Sequence, residues 1–116
     1  MPESLAQSRL LLDAPRALPD LRLFRRNVGA GKLASGQFVH FGIRGQCDLY
    51  GLQRGGRHIE LELKARNGKL SEFQQTWRDW CLGHGVPWLM LVELRGETVE
   101  LTTARWIDEI RQALFR

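Results

Sequence analysis

The clearest hydrophobic pattern in the chain is a strict alternation over residues 58–65, in the segment HIELELKA. Ile59, Leu61, Leu63 and Ala65 point to one side while the polar residues between them point to the other, which predicts a half-buried β-strand. Residues 49–52 indicate a preceding strand, and residues 53–57 contain the Gly-Gly pair of a turn. The pattern therefore predicts an antiparallel hairpin with one charged face.

Two helices are predicted from capping residues and helical spacing. The first covers residues 4–13 and ends before Pro15, because proline does not continue a helix. The second covers residues 71–82, with Ser71 as N-cap and Gln74 three residues later, which is the pattern of a capping box. Four residues of this second helix share a stripe that we expect to be buried against the sheet. They are Phe73, Trp77, Trp80 and Cys81.

The remaining segments complete a mixed fold. Residues 21–25 or 38–42 supply a further strand, and the apolar run at residues 86–92 suits a strand covered on both faces. A short strand is predicted at residues 98–101, followed by a helix that Thr102 or Thr103 caps and that carries Ile107, Ile110 and Leu114 on one side. The order α-β-β-β-α-β-β-α predicts one α/β (α+β) domain over residues 1–116, with a mixed sheet flanked by helices.

The charged face of the hairpin carries the candidate catalytic and metal-binding residues. Asp48 closes a GQCD segment before the first strand, and Glu62 and Lys64 lie on the second strand. Residues two apart on a strand are separated by roughly 7 Å, so both can act on one phosphate. Two carboxylates suit Mg²⁺ or Mn²⁺, and the backbone carbonyl of Leu63 is a further candidate ligand. Alternating charges alone usually mark a solvated face, but Asp48 across the turn favours a metal site.

Three segments, in this order, resemble the VRR-NUC nucleases: GQCDLYGL, HIELELKARNGKLSEFQQ and GVPWLMLV. This family is a branch of the PD-(D/E)xK superfamily, which includes restriction enzymes and Holliday-junction resolvases. The similarity extends from about residue 27 to residue 92, and small free-standing members, many from phages, match the whole chain length. The resemblance implies a restriction-endonuclease-like fold and a Mg²⁺- or Mn²⁺-dependent endonuclease that cuts branched or junction DNA in replication, recombination or repair. It also implies a homodimer.

The resemblance assigns roles to individual residues. The family pattern places metal-binding carboxylates at Asp48 and Glu62, and the catalytic lysine at Lys64. It also has a glutamine in a Leu-Ser-x-x-Gln segment, here Gln74, for which helix capping is an equally good explanation. An acidic residue of the first helix often completes such sites as a metal ligand, and Glu3 is the best match. An ordinary helix-start role explains Glu3 at least as well.

The cationic residues favour a nucleic-acid partner. The net charge is +4, and 14 of the 17 cationic residues are arginine, whose planar fork suits bidentate phosphate contacts. A glycine-rich stretch at residues 29–31 resembles a backbone-clamping loop, although a solvated loop without a partner is the alternative. We expect DNA contacts from six residues, namely Arg22, Arg25, Arg26, Lys32, Arg44 and Lys69.

The cysteines and the hydrophobic pattern bear on the redox state and the cellular location of the protein. Cys47 and Cys81 form neither a disulfide framework nor a C-x-x-C zinc signature, so we expect both to be reduced. Cys47 also stands where the family commonly has proline. No long apolar run or signal-like leader is visible, which predicts a soluble, cytoplasmic protein of a bacterial or phage-infected cell. Two other functions stay open: a DNA-binding module without catalysis, and a protein-interaction subunit.

Overall fold

The computed structural model describes residues 4–26 and 29–115, which contain three helices and six strands. The helices are α1 (Leu5–Ala17), α2 (Glu72–Gly83) and α3 (Val99–Leu114). The strands are β1 (Leu21–Arg25), β2 (Gly29–Lys32), β3 (Phe38–Phe41), β4 (Leu49–Gln53), β5 (Arg57–Lys64) and β6 (Trp88–Val92).

The central sheet has the strand order β1-β4-β5-β6. β4 pairs antiparallel with both β1 and β5, whereas β5 and β6 are parallel because the chain crosses through α2 between them. The turn between β4 and β5 contains Gly55 and Gly56, both at positive φ (92° and 84°). The predicted mixed sheet with flanking helices, and the hairpin at its centre, are confirmed.

One face of the sheet packs on α1 and α3 and forms the apolar core. Ile59 and Leu61 of β5 are fully buried there, as the alternation predicted. The apolar stripe predicted for the last helix is also confirmed, since Ile107, Ile110 and Leu114 are all buried in this core. Helices α1 and α3 and strands β1, β4 and β6 supply other members of the core: Leu10, Ala14, Leu21, Leu49, Leu91 and Trp106.

The opposite face of β5 is also buried, which the alternation did not predict. Glu60 and Glu62 are 0% and 1% exposed, although carboxylates are almost never fully buried unless paired. Helix α2 covers this side, and the Trp77 indole nitrogen donates a hydrogen bond to Glu60 Oε1 at 2.9 Å. The central part of this charged face, at Glu60 and Glu62, is therefore an interior surface, whereas His58 and Lys64 at its two ends are half-buried.

The predicted burial of the α2 stripe is only partly right. Cys81 is buried and Trp77 is half-buried, but Phe73 and Trp80 are 52% and 51% exposed. The helix covers β5 and β6 only in part, so one side of its apolar stripe remains open to solvent. This exposure leaves aromatic surface beside the charged face.

Helix α1 extends beyond the end predicted for it. Pro15 lies inside the helix, which ends at Ala17. The proline is in the last turn, where it removes a single backbone donor, and Leu18 N still donates to Ala14 O at 2.8 Å. At its start Ser4 is the N-cap, and its Oγ accepts a hydrogen bond from Gln7 N at 3.0 Å.

The strand predicted at residues 98–101 is wrong, because this segment is the start of α3. Thr98 is the N-cap, and its hydroxyl oxygen accepts a hydrogen bond from Leu101 N at 3.2 Å. Thr102 and Thr103, predicted as alternative caps, are instead buried inside the helix. The β-branched composition of the segment suggested a strand, but the cap and the apolar stripe that follows favour a helix.

The two segments offered as a further strand, residues 21–25 and residues 38–42, correspond to β1 and β3, and β3 ends one residue before the predicted end. The glycine stretch predicted as a clamping loop lies instead in β2, which pairs antiparallel with β3 in a separate two-stranded sheet. Within the described ranges, no helix has the length and apolar character needed to cross a membrane.

Candidate active site

Asp48 and Glu62 meet where the pairing of β4 with β5 ends. Leu49 pairs with Leu61, so Asp48 lies opposite Glu62, one position beyond the last paired residues. Asp48 Oδ2 accepts a long hydrogen bond of 3.4 Å from the backbone N–H of Leu63. The structure therefore brings together the two carboxylates that the sequence placed on opposite sides of the hairpin turn.

The backbone of Leu63 faces the same site. β4 pairs with β5 only as far as Leu61, and the N–H of Leu63 points to the side of Asp48. Since the N–H and C=O of one strand residue point to the same neighbour, the Leu63 carbonyl also faces that side. Its role as a further oxygen ligand stays a prediction.

Glu62 is held in an environment that disfavours its charge. The pKa of Glu62 is raised to about 8, chiefly by burial and then by the adjacent Asp48 carboxyl, while Lys64 opposes the rise. Glu62 Oε1 is buried and has no hydrogen-bond partner among the described residues. A buried carboxylate oxygen without a partner, beside a second carboxylate, is a donor set that fits a hard dication.

The site offers two side-chain carboxylates for such an ion. Residues 4–26 and 29–115 contain no group of three or more His, Cys, Asp and Glu side chains placed to hold a metal. Mg²⁺ is nonetheless commonly bound through one or two carboxylates, with water and substrate phosphate completing its shell. Glu3, the expected third acidic residue, lies outside the described residues.

Lys64 is fixed by the start of α2. Its Nζ donates a hydrogen bond to Gln74 Oε1 at 2.9 Å. The same oxygen accepts from Ser71 N at 2.8 Å, and Ser71 Oγ accepts from Gln74 N at 3.1 Å, which completes a capping box. The two explanations offered for Gln74 are therefore compatible, since one oxygen both caps the helix and holds the lysine.

The turn after β5 brings the start of α2 close to Lys64. Gly68 N donates to Ala65 O at 2.8 Å, and a Cβ at Gly68 would lie 2.9 Å from that oxygen and 3.2 Å from Lys64 Cβ. A larger residue would push the turn away from the lysine. Gly68 thus allows the chain to fold back so that Gln74 reaches Nζ.

A second carboxylate on the same strand face, Glu60, is fully paired. Arg26 Nη1 and Nη2 donate to its two oxygens at 2.5 and 2.7 Å, Trp77 donates at 2.9 Å, and His58 contacts it as well. Burial would raise the pKa of Glu60, but the hydrogen bonds from Arg26, His58 and Trp77 outweigh it and hold the pKa below its ordinary value. No local pattern indicates this cluster, because Arg26 and Trp77 are 34 and 17 residues away from Glu60.

The expected DNA contacts are spread over several environments. Arg26 differs most from expectation, because its guanidinium is committed to Glu60 and to the backbone carbonyl of Cys47. Arg22 donates to two backbone carbonyls of its own segment, and the Arg44 guanidinium lies 4.9 Å from the centroid of the Phe73 ring. The other three expected contacts are exposed: Arg25, Lys32 and Lys69.

A cavity of about 270 Å³ opens beside Glu60, on the side of the sheet that α2 covers. It is next to the carboxylate pair, because Glu60 and Glu62 are two residues apart on one face of β5. The cavity is lined by Arg26, Gln46, His58, Glu60, Trp77, Trp80, Cys81 and Val86.

Both cysteines are buried free thiols, as predicted. The pKa of Cys81 is raised to about 11, chiefly by burial and then by the charge of Glu60. Burial raises the pKa of Cys47 as well, with further contributions from Glu62 and Glu60. Neither thiol is therefore activated as a nucleophile.

In comparisons with known proteins, the chain matches no protein-family model and no curated protein. The resemblance to VRR-NUC nucleases therefore stays a prediction from the three quoted segments.

Proposed function

We propose that this protein is a Mg²⁺- or Mn²⁺-dependent phosphodiesterase that cleaves DNA. The observation that carries the proposal is the meeting of Asp48 with buried Glu62, beside a lysine held at 2.9 Å by Gln74. Two carboxylates and a fixed ammonium group are the components that metal-assisted phosphodiester hydrolysis requires. DNA as the substrate is supported by the VRR-NUC resemblance and by the arginine-rich composition.

The chain supplies both ligands and a positioned cation. Asp48, Glu62 and the Leu63 carbonyl would hold the metal ion, which when bound neutralises phosphate charge and lowers the pKa of water. Lys64 would orient the attacking water or donate a hydrogen bond to a phosphate oxygen. Because Gln74 already fixes its Nζ, the ammonium group needs little reorganisation as charge develops on the phosphate.

The test is cleavage of labelled DNA in the presence of Mg²⁺, Mn²⁺ or EDTA. We expect cutting with either metal and none with EDTA, and we expect Asp48→Asn, Glu62→Gln and Lys64→Met each to lower the rate by about 10²-fold or more. Asp108→Asn and Glu109→Gln are matched controls, because both lie on α3 behind the opposite face of the sheet. Full activity in the three site variants, with folding confirmed by circular dichroism, would contradict the proposal.

The preferred substrate and the assembly belong to the same proposal. We expect branched or junction DNA to be cut in preference to linear duplex, by a homodimer, because resolving a junction requires two symmetric cuts. The expected setting is the cytoplasm of a bacterial or phage-infected cell. Solution mass, together with cleavage rates on four-way junctions, flaps and linear duplex, tests this. A monomer that cuts only flaps or ends would contradict the homodimer and the junction preference, but not the proposed metal-dependent cleavage.

The same substrates distinguish the alternatives. DNA binding without metal-dependent cutting would favour a binding module that keeps this arrangement of helices and strands. Neither binding nor cutting would favour a protein-interaction subunit.

A further inference from the structure

Aromatic rings form one wall of the cavity beside Glu60. Trp77 and Trp80 both line it, with ring planes parallel within 6° and centroids 5.3 Å apart. Trp80 also stacks on His84 at 4.1 Å between centroids, yet its side chain is 51% exposed. An exposed indole at the mouth of a cavity leaves apolar surface in water that a flat apolar ligand would cover.

Behind the lining of the cavity lies a group of polar side chains held in place by hydrogen bonds. Glu60 is fully buried and receives two hydrogen bonds from Arg26 and one from Trp77, with His58 in contact. These groups hold one another, so the cavity exists before any ligand enters and binding costs little ordering. Gln46 adds a side-chain amide at the wall, which can form a hydrogen bond with a heterocycle.

The cavity and the carboxylate pair are neighbours on one strand. Glu60, at the cavity, and Glu62, at the metal-binding pair, point to the same side of β5 and are roughly 7 Å apart along it. That distance is comparable to the step from a phosphate to the base of an adjacent nucleotide. A nucleotide chain with a phosphate at Asp48 and Glu62 would therefore pass directly over the cavity.

The size of the cavity limits what can fill it. At about 270 Å³ it is slightly smaller than pockets for drug-sized ligands, which range over about 300–1,000 Å³. This volume fits one planar heterocycle. A base inside a duplex is paired and stacked and cannot enter, whereas an unpaired base can turn out of the strand into a pocket between aromatic and apolar side chains.

We propose that the cavity lined by Glu60, Trp77 and Trp80 binds one unpaired nucleobase of the DNA, next to the phosphate to be cut. The inference rests on the proposed function and adds a substrate class to it. The preferred DNA carries at least one unpaired nucleotide beside the cleavage position, and a perfect duplex is a poor ligand.

The test is an equilibrium binding experiment with wild-type protein in EDTA, so that binding is measured without cleavage. The probes are a labelled linear duplex, the same duplex with a one-nucleotide bulge, and the same bulge with an abasic nucleotide. The last two have the same backbone and charge and differ only in the base. We expect the base-containing bulge to bind about tenfold more tightly than the abasic bulge, as stacking of one base on aromatic side chains implies.

Substitutions in α2 test whether the preference for the base-containing bulge depends on Trp80. Trp80→Ala should abolish the difference between the base-containing and abasic bulges, while Trp80→Phe, which keeps a ring, should retain most of it. Leu82→Ala is the matched control, because Leu82 is 55% exposed on the same helix but does not line the cavity. Loss of the difference in Trp80→Ala alone supports the proposal.

Two results would overturn the proposal. One is equal affinity of the wild-type protein for the two bulges. The other is a Trp80→Ala variant that keeps the base preference, or that changes only the solution mass, which would indicate that a second copy of the chain covers Trp80. Failure of the proposed nuclease function gives a different result: base-dependent binding in EDTA, but no metal-dependent cleavage of any probe.

Discussion

Replacing Glu62 by glutamine should lower the cleavage rate by about 10²-fold or more and yet stabilise the metal-free protein. Glu62 is 1% exposed, and its pKa is raised to about 8 by burial and by the neighbouring Asp48. The fold therefore disfavours the charged form, and ionisation of this carboxyl group lowers the free energy of unfolding. Glutamine keeps the shape of the side chain and removes the charge. The variant thus separates the role of Glu62 in metal binding from its effect on the stability of the protein.

The stabilisation must depend on pH. Below the ordinary pKa of 4.5, Glu62 is protonated in both the folded and the unfolded chain, so its charge has no effect on stability. Above it, the unfolded chain ionises first, and the free energy of unfolding falls by about 1.36 kcal/mol per pH unit until the pH passes the folded pKa near 8. The interval between the two pKa values corresponds to a loss of at most about 5 kcal/mol in the free energy of unfolding. Because the folded structure relaxes around a buried charge, we expect roughly 2–4 kcal/mol.

Urea unfolding in EDTA at pH 5 and pH 8 measures this effect. At pH 5 wild type and Glu62→Gln should differ by less than about 1 kcal/mol, and at pH 8 the variant should be more stable by roughly 2–4 kcal/mol. Glu100→Gln, on a side chain that is 67% exposed, is the control and should show no such pH dependence. Mg²⁺ at 100 times its dissociation constant should stabilise wild type at pH 8 by about 2.7 kcal/mol. It should have little effect on Glu62→Gln.

A stability difference that is the same at both pH values would refute this reasoning. It would show that Glu62 is already ionised in the folded protein at pH 5, so that its surroundings do not oppose the charge. An equal Mg²⁺ effect in wild type and variant would show, separately, that the ion binds elsewhere.

Two further predictions concern stability, both measured by urea unfolding. Arg26→Ala should destabilise by about 3–5 kcal/mol, because it leaves the buried Glu60 without its bidentate partner; a loss below about 1 kcal/mol would mean that Glu60 is not held as a charged group. Gly45→Ala should destabilise more than Gly55→Ala. Both glycines have a positive φ (95° and 92°), but only at Gly45 would the new Cβ lie 2.2 Å from a backbone oxygen, that of Phe73. Gly55→Ala meets no atom within 4 Å, so its loss should be the backbone strain alone, about 1–2 kcal/mol; equal losses in the two variants would show that the contact with Phe73 has no energetic effect.

The sequence predicted the parts of the site that depend on local pattern. The alternation in β5 and the Gly55-Gly56 turn determine that Asp48 lies opposite Glu62, because a hairpin register follows from its turn and its apolar face. The Ser71 capping box likewise fixes where α2 begins, and hence the position of Gln74. These features need only neighbours within a few residues.

The parts that failed depend on contacts between distant segments. Nothing near Glu60 in the sequence indicates that Arg26 and Trp77 will neutralise it, so its burial was not predictable from the alternation. The exposure of Trp80 likewise depends on how much of the sheet α2 covers, whereas helical spacing shows only that it shares a stripe with Trp77. Tertiary packing decides both.

Two buried carboxylates on one strand face show how the fold distinguishes a structural charge from a candidate functional one. Glu60 has all its partners within the protein, its pKa is lowered, and its oxygens are already occupied by Arg26, Trp77 and His58. Glu62, two residues along, has a raised pKa and an oxygen without a partner among the described residues. A carboxylate satisfied by protein donors has little capacity left for a metal, whereas an unsatisfied one is stabilised by a bound cation. The same burial therefore makes Glu60 an anchor for α2 and leaves Glu62, with Asp48, as the pair that can take up a divalent ion.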